Sequence, residues 1–135
     1  MSLEDCLMRR GFDFDVLHPL CLPQTPGFDI VGNVCACGSQ AERIFEEGDR
    51  VAALVRTGGN ARFLSVPASS LVKLPRQLDC AEAAAMVSIY TTAYQTLKRI
   101  TQKSPMFSLL GSKVLIIGGM DAVGQALIFV AVEAT

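Results

Sequence analysis

Between Phe28 and Lys73 the apolar residues fall in short runs, and each run is cut by a glycine-rich or acidic turn. Phe28 to Val34 alternates weakly around Asp29 and predicts a strand entered from the Pro26, Gly27 turn. Glu46, Glu47, Gly48 and Asp49 make a polar turn ahead of a second strand, Arg50 to Val55. Gly58, Gly59 and Asn60 then lead into Ala61 to Val66, and Leu71 to Lys73 closes the series before Pro75. Short strands so closely spaced argue for a small antiparallel barrel, not for strands alternating with helices. Ahead of them, Ser2 to Arg10 reads as a short helix or turn, and the stretch with Pro19, Pro23 and Pro26 as an extended loop.

The rhythm changes at Asp79. Asp79 with Glu82 three residues on forms a capping-box pattern, and Cys80 to Ile100 carries alanine, leucine and methionine at helical spacing without an internal proline or glycine. A polar linker with Pro105 and Gly111 leads to Val114 to Ile117, a short apolar strand. That strand runs into the turn Gly118, Gly119, Met120, Asp121, Ala122, Val123, Gly124 and then into one apolar helix. Strand, glycine turn and helix in that order are the opening of a dinucleotide-binding unit. Such a unit needs several parallel strands covered on both faces, which makes each a continuous apolar run. One is present here, so the remainder of that domain is expected elsewhere, and the βα piece is expected to need neighbours.

Composition narrows the classes. With 135 residues the chain has room for one ordinary domain and part of another. Its 12 basic and 13 acidic residues leave a net charge of -1, no electrostatic footprint for nucleic acid or an anionic membrane, and both are excluded as partners. A hydrophobic content of 50% and a mean hydropathy of +0.37 imply apolar surface meant to be covered by chain not present here. Val114 to Ala134 is apolar enough to raise a membrane span, but Asp121 in its middle would cost about 3 kcal/mol at the bilayer centre, so no insertion is expected. Met1 to Arg10 mixes acids and bases and has no secretory-leader pattern.

Cys6, Cys21, Cys35, Cys37 and Cys80 show no CxxC spacing, so a disulfide scaffold is not expected. Cys35 and Cys37 lie two apart and would share one face of a strand. With His18 as the single histidine, neither four zinc ligands nor three plus water come together, and no metal site is expected. The thiols are read as small buried or half-buried groups. Reduced cysteines without a leader point to the cytoplasm or an organelle matrix rather than secretion.

The ordered segments PGFDIVG at 26–32, EGDRVAAL at 47–54, GGNARF at 58–63, VPASSLVKLP at 66–75, EAAAM at 82–86, TTAYQTL at 91–97 and KVLIIGGMDAVGQALI at 113–128 carry a resemblance. Together the chain resembles the medium-chain dehydrogenase/reductase superfamily and, within it, the zinc-free quinone oxidoreductase branch that includes enoyl reductases. The resemblance implies a mixed α+β fold. Residues 1–78 would be a partial GroES-like antiparallel β-barrel, incomplete at its N-terminus, 79–112 connecting helices and linker, and 113–135 the first strand and helix of a Rossmann domain. It also implies NADPH between the two domains and hydride passed to a small-molecule quinone or activated alkene.

By position in the family motif, Thr92 and Tyr94 would lie near the nicotinamide. Gly118, Gly119, Asp121, Ala122, Val123 and Gly124 would surround the pyrophosphate, where the backbone must come close. The cofactor supplies the hydride and the protein orients it, so these are positioning groups and no catalytic residue is assigned. Thr92 and Tyr94 also sit in a regular helix, where they serve equally as packing or capping groups. Gly27 and Gly32 read as turn and close-packing glycines, and Asp29 as a strand-buried carboxylate with a basic partner. Zinc-dependent relatives carry GHE where Gly27, Phe28 and Asp29 stand, so the resemblance implies that the ligating histidine is missing.

Three positions depart from the family pattern. Asp121 stands at the central glycine of AxxGxxG. A carboxylate about 5 Å from a pyrophosphate oxygen, at an effective dielectric near 20, costs on the order of 3 kcal/mol, about a hundredfold in affinity; Asp121 instead suits a helix cap ahead of Ala122. Asp13 replaces the tyrosine of RxGxY although Arg9 and Gly11 match, and Ser2 replaces the asparagine of NPVD. Two functions are therefore weighed. One is a fragment of an NADPH-dependent quinone oxidoreductase-like enzyme, inactive alone. The other is a non-catalytic, degenerate reductase-like subunit whose barrel and helix form an interaction surface in a homo-oligomer or larger assembly.

Overall fold

A computed structural model describes residues 2–12, 22–103 and 110–133; Asp13, His18, Pro19, Cys21 and Pro105, named above, lie outside the described residues. The chain divides into two compact units, Met1–Val87 and Ser88–Thr135.

The first unit opens with α1 (Leu3–Arg9), a helix too short to stand on propensity alone. Its start is tied down on both sides: Ser2 Oγ accepts the Asp5 N–H at 3.2 Å, and the Asp5 carboxylate accepts the Ser2 N–H at 2.8 Å. Ser2, the residue that replaces the family's asparagine, thus has a structural role as helix cap.

Three strands follow, β1 (Asp29–Asn33), β2 (Arg50–Leu54) and β3 (Val72–Lys73), in one antiparallel sheet ordered β1-β2-β3. Asp29 pairs with Leu54 and Asn33 with Arg50, while Ala52 pairs with both Val31 and Val72. Val51, Ala52 and Ala53 are all buried, as is Phe45 from the preceding loop. Consecutive burial means that β2 is covered on both faces, which is why its sequence is apolar without alternation. The class is the expected mixed one with an antiparallel sheet, and β1 and β3 are its edges.

The stretch 61–66, expected as a strand, carries no ladder pairing among the described residues, and Phe63 and Leu64 are exposed. Apolar, β-prone residues propose a strand, but a partner's hydrogen bonds make one.

The loops are joined across the sequence. The N–H groups of Gly58, Gly59 and Asn60 donate to the carbonyls of Thr25, Gly27 and Pro26 at 2.8, 3.0 and 2.9 Å. Gly27 has φ +112°, and a Cβ there would strike the Asn60 nitrogen and the Gly59 backbone. Gly27 is therefore the turn and close-packing glycine that was expected. Gly32 is not: a Cβ there meets nothing within 4 Å, because the exposed edge of β1 leaves room.

Asp79 starts α2 (Cys80–Lys103), its Oδ1 accepting the N–H groups of Ala81 at 2.8 Å and Glu82 at 3.2 Å. The second unit takes up this helix from Ser88 and adds α3 (Ala122–Glu133). Ala93 and Leu97, one turn apart on α2, are buried, and Tyr90 meets Phe129 of α3 edge to face with ring centroids 6.3 Å apart. Val114 to Ile117 is not in a ladder, since among the described residues no strand lies beside it. No helix among the described residues is long and apolar enough to cross a membrane.

Candidate functional site

In the second unit, steric necessity falls on the turn between Ile117 and α3. Gly118 has φ +83°, a conformation that L side chains rarely adopt. The Asp121 N–H donates to its carbonyl at 3.1 Å, closing the turn. Six residues on, Gly124 is buried in the first turn of α3, and a Cβ there would collide with the Gly118 carbonyl oxygen and lie 2.8 Å from the Gly119 Cα. The helix can therefore press on the turn only because position 124 has no side chain. Gly119 is less constrained, its hypothetical Cβ lying 3.2 Å from Ile128 Cδ1, a side-chain end that can give way.

Asp121 completes the turn. Its Oδ1 accepts the Gly124 N–H at 2.6 Å, the side-chain cap that aspartate makes when it precedes a helix. Gln125 Nε2 donates to the Met120 carbonyl at 3.2 Å on the same end. Ala122 and Val123 are the first residues of α3, where backbone N–H groups have no intrahelical acceptor. The turn thus offers closely approachable backbone and helix-start amides, beside a carboxylate that already uses one of those amides.

Thr92 and Tyr94 lie on α2 in the same unit and are exposed, Tyr94 to 58%. Residues two apart on a helix point to different sides, so they do not form one surface. The Thr92 carbonyl accepts the Thr96 hydroxyl at 2.8 Å, and Lys98 Nζ lies 5.9 Å from the Tyr94 ring centroid. Neither exposed side chain has the packing role weighed from the sequence.

In the first unit the charged groups support the sheet. Lys73 Nζ meets the Asp49 carboxylate at 2.6 Å and stands 5.5 Å from the Phe45 ring centroid, and the Glu46 N–H donates to Asp49 at 2.9 Å. The hydrogen bond from Lys73, and then that from Glu46, hold the Asp49 carboxyl below its ordinary value of 3.8. The backbone N–H groups of Glu82 and Ala81 do the same for Asp79. The reciprocal caps at Ser2 and the interlock of Gly27 with Gly59 were missed from the sequence. The first was signalled by Ser2 and Asp5 three apart; the second joins segments whose meeting only the fold decides.

Cys6, Cys35 and Cys80 are exposed free thiols and Cys37 is half-buried, so three of these four are more open than the buried or half-buried placement expected. Among the described residues no three metal-ligating side chains converge.

The alcohol dehydrogenase GroES-like domain matches residues 3–76. The synaptic vesicle membrane protein VAT-1 homolog-like of Mus musculus is 32% identical over 126 residues, 93% of this chain and 28% of that protein. The quinone oxidoreductase of Pongo abelii is 35% identical over 106 residues, 78% of this chain and 30% of that protein. Among solved structures, the quinone oxidoreductase of Thermus thermophilus, whose complex with NADPH is also known, superimposes with a TM-score of 0.71 at 36% identity, covering 99% of this chain and 38% of that one. The chain spans 28% and 30% of the length of the two curated relatives. With that order of motifs, that sheet and these likenesses, the chain belongs to the medium-chain dehydrogenase/reductase superfamily, in its quinone oxidoreductase-like branch, and carries that superfamily's GroES-like domain.

Proposed function

We propose that this chain is the GroES-like part and the start of the cofactor domain of an NADPH-dependent quinone oxidoreductase-like enzyme that reduces a quinone or an activated alkene without zinc. Residues 1–78 would form the substrate domain, 79–112 the connection, and 113–135 the first strand and helix of the Rossmann domain. The observation that carries the proposal is the contact of Gly124 with Gly118, the close helix-to-turn packing a dinucleotide-binding turn requires. NADPH, when bound, supplies the hydride. Gly118, Gly119 and Gly124 would let the pyrophosphate approach the backbone, and the Ala122 and Val123 N–H groups would donate to it. Thr92 and Tyr94, both exposed on α2, would serve the nicotinamide end from different sides of the helix. The backbone of the turn therefore fits a dinucleotide, while Asp121 opposes its charge. Phe28 stands where zinc-dependent relatives have their GHE histidine, in keeping with zinc-free hydride transfer.

Calorimetric titration of NADPH into the longest natural protein that carries this chain tests the proposal. Saturable binding that weakens when Gly124 is replaced by alanine is the expected result; no heat at millimolar cofactor overturns it.

A second function, a non-catalytic subunit that docks in an assembly, draws on the exposure of Leu115, Ile117 and Met120, at 87%, 91% and 90%. Capping by Asp121 explains that residue without a ligand. Light scattering separates the two: a docking subunit purifies in monodisperse form only with its partner, and a stable monomer that binds NADPH rejects it.

A further inference from the structure

We propose that Cys35 and Cys37 form a redox-active dithiol that closes to an intramolecular disulfide on two-electron oxidation. Both are free thiols, and both border one shallow concavity of about 450 Å3 on the first unit, beside Ala41 and Phe45. The backbone fixes the segment on either side. Val34 exchanges hydrogen bonds with the hairpin, its N–H donating to the Asp49 carbonyl at 2.9 Å and its carbonyl accepting the Gly48 N–H at 2.8 Å. Beyond the pair, the Gly38 carbonyl accepts the Ala41 N–H at 2.8 Å. Between these anchors Ala36 alone separates the two thiols, so their Cα atoms are at most about 7 Å apart. A disulfide accepts Cα separations of about 4.4–6.8 Å, a range that lies within this span. Cys37 is held at the concavity by its Sγ, which donates to the Phe45 carbonyl at 3.6 Å.

A tetrahedral zinc ion is the competing use for two neighbouring thiols. It needs four donors, or three and a water, and among the described residues no third ligand gathers with the pair. Bond formation between the two sulfurs needs none. With oxidised glutathione as the oxidant, the thiolate of the more exposed Cys35 attacks one glutathione sulfur and the other leaves as a thiolate. Cys37 then attacks the Cys35 sulfur and expels the second. One protein S–S bond forms as the glutathione S–S bond breaks, the two cysteines are oxidised by two electrons in all, and their two protons end on two molecules of reduced glutathione. Closure removes the hydrogen that Cys37 gives to Phe45. A small, exposed ring of this kind is readily reduced, the property of a labile rather than a structural disulfide.

The test is mass spectrometry of the whole chain after equilibration with oxidised glutathione. The expected product has lost two hydrogens, carries the bond between Cys35 and Cys37, has two fewer thiols open to a thiol reagent, and reverts with excess dithiothreitol. A Cys35→Ser variant then shows no internal bond and at most one glutathione on Cys37. Separate glutathione adducts on Cys35 and Cys37 in the unaltered chain overturn the proposal. So does a bond from either to another cysteine, or inertness of both while Cys6 and Cys80 react. The outcome is independent of NADPH binding.

Discussion

Gly124 shows how a single missing methyl group shapes the turn. In an open helix, alanine would be favoured over glycine by about 1 kcal/mol. Here the added Cβ meets the backbone of Gly118 and Gly119, which has no flexible side chain to move aside. Overpacking of this kind costs about 1–3 kcal/mol, so the collision outweighs the propensity gain and Gly124→Ala is expected to lower thermal stability. Denaturation followed by circular dichroism checks the sign. Asp121 separates two effects at one site. Asp121→Asn keeps a capping side chain and leaves stability nearly unchanged, whereas Asp121→Ala loses about 1 kcal/mol. In the NADPH-binding proposal the asparagine variant also removes a negative charge and tightens the cofactor about a hundredfold, read by calorimetry. The glycine turn and the cap were legible because both are local signals. The freedom around Gly32 was not, since glycine spacing does not say whether a neighbour comes close.

Two carboxylates tie elements of the first unit together and contribute to the acid response of the fold. Asp49 is bonded to Lys73 beside β3, and Asp79 caps α2. Both carboxyls lie below 3.8 in the folded chain, and unfolding returns them to about that value. The unfolded state therefore binds protons first. The stabilisation is fully present above the unfolded value and is lost as the pH falls through the folded values below it. Thermal unfolding between about pH 7 and about pH 2 is expected to show the melting temperature dropping on the acid limb. An Asp49→Asn, Asp79→Asn double variant should melt lower at neutral pH and show a shallower acid drop. An unchanged acid limb would show that these two groups do not govern it. β1, β2, β3 and α2 could be read from the sequence because turns, apolar runs and a cap mark their ends. The stretches 61–66 and 114–117 have the same strand-like composition, but pairing is a property of two segments, and no periodicity in one reveals whether the other is beside it.

At the scale of the molecule, the second unit presents Leu115, Ile117 and Met120 almost fully to solvent, with Phe129 and Val132 also exposed on α3. Covering several hundred Å2 of such surface would contribute roughly 10 kcal/mol at about 25 cal/mol per Å2, enough to drive association when the isolated chain is concentrated. This chain spans 28% and 30% of the length of the two curated relatives. A Leu115→Lys, Ile117→Lys variant is expected to abolish self-association of the isolated chain. Because neither side chain is buried, that variant should leave the stability of the dispersed chain within about 0.5 kcal/mol of the original. Sedimentation of both forms across the micromolar range decides it. If the unaltered chain stays monomeric throughout, the exposed face is not adhesive. If the lysine variant still associates, the contact lies elsewhere, and the sheet edges β1 and β3 become the surfaces to charge next.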